Sequence, residues 1–159
     1  MMSKVTPFLW YEKDAEAAAR FYTSLLPDSR LDNVTAMAAD SPSGPAGSVQ
    51  VVEFTLQGEP FLAMNAGRHD AFNNAISFMI LCDTQAEIDR LWKAHLDNGG
   101  KEQACGWLTD RWGVSWQITP RRLMEMMKSS DRAAARRSSE AMMKMIKLDL
   151  AELERAFKG

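Results

Sequence analysis

The sequence predicts an α+β fold: two fused βαβββ modules in tandem, with a C-terminal helical extension. Three observations predict it. One stretch recurs at a constant spacing, each half runs strand, helix, hairpin, and the tail has helical periodicity with no counterpart in the first half. Shifting Thr6–Glu12 (TPFLWYE) by 71 residues lands on Ser77–Asp83 (SFMILCD). The same shift carries Ala15-Glu16 onto Ala86-Glu87, Phe21 onto Trp92 and Leu25 onto Leu96. The first module is placed at 4–66, the second at 75–120 and the extension at 121–159, within a single domain of 159 residues.

Thr6–Glu12 is a short apolar and aromatic run of the kind that forms a buried strand. Asp14 is positioned to cap a helix running to about Leu26, with Ala15, Ala18, Phe21, Tyr22 and Leu25 on one face and Pro27 as its stop. Ser29–Met37 is a weaker strand. Ala39–Gly47, with two prolines, two glycines and two serines in nine residues, is a loop. Val49–Leu56 and Phe61–Asn65 form a hairpin across Gly58-Glu59-Pro60, and Asn65–Asn74 is a polar connection.

The pattern then restarts. Ile76–Cys82 is a strand, Thr84 with Glu87 makes a capping box, and Ile88, Leu91, Trp92 and Leu96 mark the inward face of a helix ending at Gly99-Gly100. Strands are expected at about Glu102–Leu108 and Val114–Thr119, with Gly113 in the turn between them. In the tail, Asp131 caps a helix bearing Ala134, Ala141, Met142, Met145 and Ile146. Asp149 with Glu152 opens another carrying Leu150, Leu153 and Phe157. Their apolar faces must pack on the parent module or on a second subunit.

Composition narrows the function classes. Hydrophobic residues at 46% and charged residues at 25% are ordinary for a globular chain. A net charge of −2 gives no general attraction for nucleic acid or an anionic membrane. The longest apolar run, Ala75–Cys82, is too short to span a bilayer, and the N-terminal residues lack a signal-type segment. Cys82 and Cys105 form neither a disulfide framework nor a metal-ligand spacing, so a reducing, cytoplasmic setting is expected. Eleven methionines are many for this length and crowd the C-terminal third.

The runs TPFLWYEKDAEAAARFYTSLLPDS, GSVQVVEFTLQGEPFLAMNAG, AISFMILCDTQAEIDRLW and GWLTDRWGVSWQITPR, in that order, resemble the PhnB-like branch of the vicinal oxygen chelate superfamily, as does the tail with KLDLAELERA. The resemblance implies paired modules, each curling its sheet into a cup, and a homodimer. Some members of the branch carry a label resembling demethylubiquinone methyltransferase, but no strand here runs into a glycine-rich turn that could seat a nucleotide-like methyl donor. The resemblance also implies metal-ligand positions on the first and last strand of each module. These fall on Pro7 or Phe8, Phe78 or Met79, Asn65, and Gln117, where enzymes of the superfamily commonly carry glutamate. One or two amides cannot replace three ligands, so no metal and no cofactor is expected.

The densest candidate cluster is Cys105–Gln117 (CGWLTDRWGVSWQ). Trp107, Trp112 and Trp116 either wall an apolar cup or serve as core or interface residues. Strand alternation puts Trp116 and Gln117 on opposite faces, which favours Gln117 in the cup and Trp116 in the core. Glu53, sharing a face with Val51 and Thr55, is either a general base within a cup or part of a solvated outer face. Of Trp10 and Tyr11, one belongs to the core and the other can line a pocket. His95, late in its helix, reads as a surface residue. Arg68 and His69, on the inter-module loop, are candidates for binding an anionic substrate or are simply solvated. Cys105 has no adjacent His or Lys to activate it, and Asp110 and Arg111 read as turn residues.

The expected function is a cup that binds a small apolar or aromatic molecule without metal, with Trp10, Asn65, Arg68, Trp107, Trp112 and Gln117 as ligand contacts. The alternatives are a lyase or isomerase acting next to a carbonyl, with Glu53 or His69 as base and Gln117 as polariser, and a ligand-free structural or regulatory dimer. A homodimer through swapped or packed tails is the expected assembly, with neither nucleic acid nor membrane as partner.

Overall fold

The computed structural model describes residues 3–67 and 70–159 and divides into two compact units, residues 1–71 and 72–159. The first contains β1 (Phe8–Tyr11), α1 (Ala15–Leu25), β2 (Arg30–Ala36), β3 (Gln50–Leu56) and β4 (Glu59–Asn65). Its sheet order is β1-β4-β3-β2, with β1 parallel to β4 and the other pairs antiparallel. This is one βαβββ module.

Period-two alternation divides the sheet into two faces. Leu9, Tyr11, Val52, Phe54 and Ala63 are buried on the face that α1 covers. The helix meets them with Ala15, Ala18, Ala19, Tyr22 and Leu25, the three alanines permitting close approach. The Tyr11 and Tyr22 hydroxyls are hydrogen-bonded at 2.9 Å, and the Tyr22 ring lies 6.3 Å from that of Phe54. Phe8 and Trp10 point to the opposite, open face and stay 50% and 42% exposed.

Two local expectations change. The hairpin turn is Gln57-Gly58, both with positive φ (51° and 80°), as a two-residue turn between twisted strands requires; Glu59 and Pro60 already belong to β4. Asp14 occupies the N-cap position of α1 but makes no capping hydrogen bond. The Ala15 N–H instead donates to Asn65 Oδ1 at 2.8 Å, so the helix is capped from the end of β4.

The second unit repeats the module with β5 (Ser77–Cys82), α2 (Gln85–Asp97), β6 (Lys101–Glu102), β7 (Trp107–Thr109) and β8 (Ser115–Pro120), in sheet order β5-β8-β7-β6. β5 and β8 are parallel. The α2 cap is as expected: Glu87 N–H donates to Thr84 Oγ1 at 3.2 Å, and Glu87 Oε2 accepts from the Asp83 N–H at 2.9 Å. The strand expected over Glu102–Leu108 is split, because Cys105 and Gly106 take positive φ (62° and 79°) and turn the chain between β6 and β7.

His95 is not at the surface. It is fully buried on the inner face of α2 with Ile88, Leu91 and Trp92, its ring 5.5 Å from that of Trp116. Burial pushes its pKa down to about 4. A late-helix position alone leaves the side chain's direction open; the register of α2 turns it inward.

The extension forms α3 (Arg121–Lys128), α4 (Arg132–Met142) and α5 (Leu150–Lys158). α3 was not expected: it follows β8 directly, has no side-chain cap and buries only Leu123 and Met126. Asp131 and Asp149 cap α4 and α5 through the Ala134 and Glu152 N–H groups. Leu123, Met126, Leu148 and Leu153 make a separate small core. The tail packs on its parent module. Cys105 and Gly106 N–H donate to the Met145 and Ile146 carbonyls at 2.8 Å each, and the Gln85 amide clips Leu148 O and Leu150 N–H at 3.1 and 2.8 Å. No helix among the described residues is long and apolar enough to cross a membrane.

Two measurements check these packing assignments. A neutral His95 in the folded state and an ordinary one in the unfolded state mean that the unfolded chain binds the extra proton. Stability is therefore complete above about pH 6.5 and falls towards pH 4, by up to about 1.4 kcal/mol per pH unit. Urea unfolding across that range should show the slope in the wild type and lose most of it in His95→Phe. Asn65→Ala should cost about 1 kcal/mol by the same assay, as for loss of a helix cap, whereas Asn65→Asp retains the acceptor and most of the stability.

Candidate functional site

In the second unit, one row of cross-strand neighbours runs Met79, Gln117, Trp107 across β5, β8 and β7. The adjacent row, Phe78, Trp116, Leu108, points the other way, towards α2. Trp116 is 2% exposed, with its ring 5.4 Å from Phe78. Trp116 therefore lies in the core, and Gln117 faces the side that α2 does not cover.

That face opens into a cavity of about 190 Å³. Met79, Trp107, Gln117 and Thr119 form its floor, Cys105 one side, and Met124, Met127, Met142 and Leu148 its tail-derived wall. The walls are overwhelmingly apolar. Gln117 Nε2 donates to Ser77 Oγ at 2.9 Å, which fixes the amide plane and leaves its carbonyl as an acceptor.

Trp112 does not line this cavity. It lies in the β7–β8 turn, its N–H donating to Asp110 Oδ1 at 2.9 Å and its ring 5.2 Å beneath the Arg111 guanidinium. Asp110 does more than turn the chain. At 4% exposure it accepts from the Trp112 and Val114 N–H groups and from Trp116 Nε1 at 3.1 Å, so it fixes the β8 register that presents Gln117. The Asp-x-x-Gly spacing, Asp110 to Gly113, was the available signal for such a turn.

In the first unit the equivalent row is Phe8, Leu62, Glu53, Asn33. Glu53 is exposed on the open face, beside a polar pocket of about 270 Å³ that also takes in Arg30, Asp32 and Thr55. Arg30 and Asp32 are paired at 2.7 Å, and Thr55 Oγ1 donates to Asp32 at 2.6 Å. Trp10 shares the open face one row along, opposite Met64. Asn65 pairs with Tyr11 on the helix-covered side, and its amide is committed to the Ala15 N–H and to Gln50. Arg68 and His69 lie outside the described residues.

Of the two cysteines, Cys82 is buried, and desolvation pushes its thiol up to about 12, which makes it inert as a nucleophile. Cys105 is half-buried at the cavity side.

A divalent ion does not suit the open faces. The ligand positions that the resemblance implies are Phe8 in the first sheet and Met79 and Gln117 in the second. Asn65 lies on the helix-covered side and Leu62 takes its place in register with Gln117, so the open faces offer a single amide. Among the described residues no three His, Cys, Asp or Glu side chains converge. A hard cation would find too few oxygen or imidazole donors.

Comparison with known proteins follows this geometry. A PhnB protein from Bacillus cereus is 32% identical, covering 74% of this chain and 99% of its own, with a TM-score of 0.65. The fosfomycin resistance protein FosX from Mesorhizobium loti superposes with a TM-score of 0.58 at 14% identity, covering 81% of this chain and 99% of its own, and so shares the fold. A protein from Pseudomonas aeruginosa does so at 23% identity with a TM-score of 0.55, covering 74% and 97%. No curated protein matches the sequence. The family model described as 3-demethylubiquinone-9 3-methyltransferase matches residues 3–119. The βαβββ modules thus have a lineage, and the chain belongs to this PhnB-like family, described as 3-demethylubiquinone-9 3-methyltransferase.

Proposed function

We propose that this protein binds a small apolar molecule in the cavity on the open face of β5, β7 and β8, oriented by Gln117 and without a divalent ion. The observation that carries this reading is the lining itself: thioethers, an indole and leucine around one fixed amide. Pockets for small molecules have this composition. Volume limits the ligand. A dry apolar cavity of about 150 Å³ accepts benzene, whereas drug-sized ligands need about 300 Å³ or more. At about 190 Å³ the site suits one ring with a small substituent.

Methyl transfer, which the family description names, finds no support in these residues. β1 runs into Glu12-Lys13-Asp14 and β5 into Asp83-Thr84, so neither strand feeds its helix through a glycine-rich turn that could cradle a nucleotide-like donor. A second reading, proton abstraction next to a carbonyl by Glu53, draws on the polar pocket beside Arg30, Asp32 and Thr55.

Isothermal titration with phenol, benzyl alcohol and indole separates these readings. The wild type should bind at least one of them. Met142→Trp, which fills the cavity, should abolish that binding, and Gln117→Leu should weaken hydroxyl-bearing ligands by about fivefold, the worth of one hydrogen bond. Binding that survives Met142→Trp unchanged would place the ligand elsewhere. Glu53→Gln should leave binding intact here, and would abolish turnover if the second reading holds.

A further inference from the structure

We propose that the cavity selects an aromatic ring over an aliphatic one, and that the C-terminal extension, rather than the family's common modules, supplies the selectivity. This rests on the ligand-binding reading above and narrows it.

Five sulfur-bearing side chains line this one cavity: Met79, Cys105, Met124, Met127 and Met142. A wall needed only for apolar area could be built from Leu, Ile and Val, which have better-defined rotamers. Thioether sulfur is polarisable and makes favourable contacts with aromatic rings, commonly at the ring edge. Thioethers and the Trp107 indole in one lining therefore suit a flat ring, with the Gln117 carbonyl available to a hydroxyl or N–H substituent.

Three of these thioethers come from the extension. Met124 and Met127 lie three residues apart on α3, hence on one helix face, and Met142 ends α4. All three follow residue 119, where the match to the family model ends, short of the KLDLAELERA run expected to share the resemblance. The chain just beyond Met142 is pinned to the module. The 145–146 carbonyls accept from Cys105 and Gly106, Gln85 clips both sides of Asp149, and Leu148 sits against Gly106 so closely that a Cβ there would lie 2.8 Å from its side chain. This pinned segment follows Met142 closely in the chain and brings Leu148 into the same lining.

The test uses a pair of probes matched in shape and hydroxyl, benzyl alcohol and cyclohexylmethanol, with the full-length protein. Each thioether–ring contact favours binding by a factor of a few, so wild type should prefer benzyl alcohol by about tenfold. The triple variant Met124→Leu, Met127→Leu, Met142→Leu conserves volume. It should bind cyclohexylmethanol as before while its preference falls to about twofold or less. Equal binding of the two probes by wild type, or an undiminished preference in the triple variant, overturns the proposal while leaving a functional cavity. Failure of both probes to bind overturns this proposal, and the cavity reading falls with it when phenol and indole also fail to bind. Methyl-labelled methionine spectra of wild type provide a readout independent of the variant. Ring-current shifts of the Met124, Met127 and Met142 methyls on adding benzyl alcohol support the proposal, and unmoved methyls refute it.

Discussion

The parallel pairing of each module's first strand with its last is the constraint from which the rest of the architecture follows. β1 lies beside β4, and β5 beside β8, because the intervening helix crosses over one face of the sheet. That crossover leaves each sheet with one covered and one open face, and alternation along the strands then assigns every side chain to one or the other. Tyr11, Phe54 and Trp116 go beneath helices; Trp10, Glu53 and Gln117 go to the open side. A one-residue slip of β8 would exchange Trp116 with Gln117, removing both a core ring and the cavity amide. Asp110, bonded to the backbone of the turn and to the Trp116 indole, opposes that slip.

Much of this was legible in the sequence because it depends on periodicity. The 71-residue shift located both strand–helix units, and the opposite orientation of Trp116 and Gln117 needed only their adjacency. What escaped depends on contacts between distant segments. The cap of α1 comes from Asn65, fifty residues away, and not from the side chain of Asp14 at the local cap position. The inward turn of His95 depends on where α2 lies over Trp116. α3 has no side-chain cap to mark its start and spans only eight residues, although Leu123, Met124, Met126 and Met127 recur at helical spacing. Of the cavity, the sequence offers Trp107 and Gln117 in a cup; the methionine wall escapes for the same reason. The floor was read as strand and the wall as tail, and only the fold joins them.

The two modules have diverged where their registers coincide. Glu53 in the first stands where Trp107 stands in the second, and Leu62 where Gln117 stands. The repeat thus preserves backbone geometry while exchanging a carboxylate for an indole and a leucine for an amide. One open face has become polar and the other oily, although each is built on the same strand order. Sequence similarity confined to the modules describes the scaffold; chemistry is written at the few outward positions that the scaffold leaves free.

Gly106 bears on how such a tail could arise or be transplanted. It is left-handed in backbone and lies beneath Leu148 with no room for a side chain. A homologue acquiring the same three helices would therefore gain nothing from them unless it already lacked a Cβ at this spot. The glycine is the socket, and a sequence carrying the appendage without it should hold the helices away from the sheet.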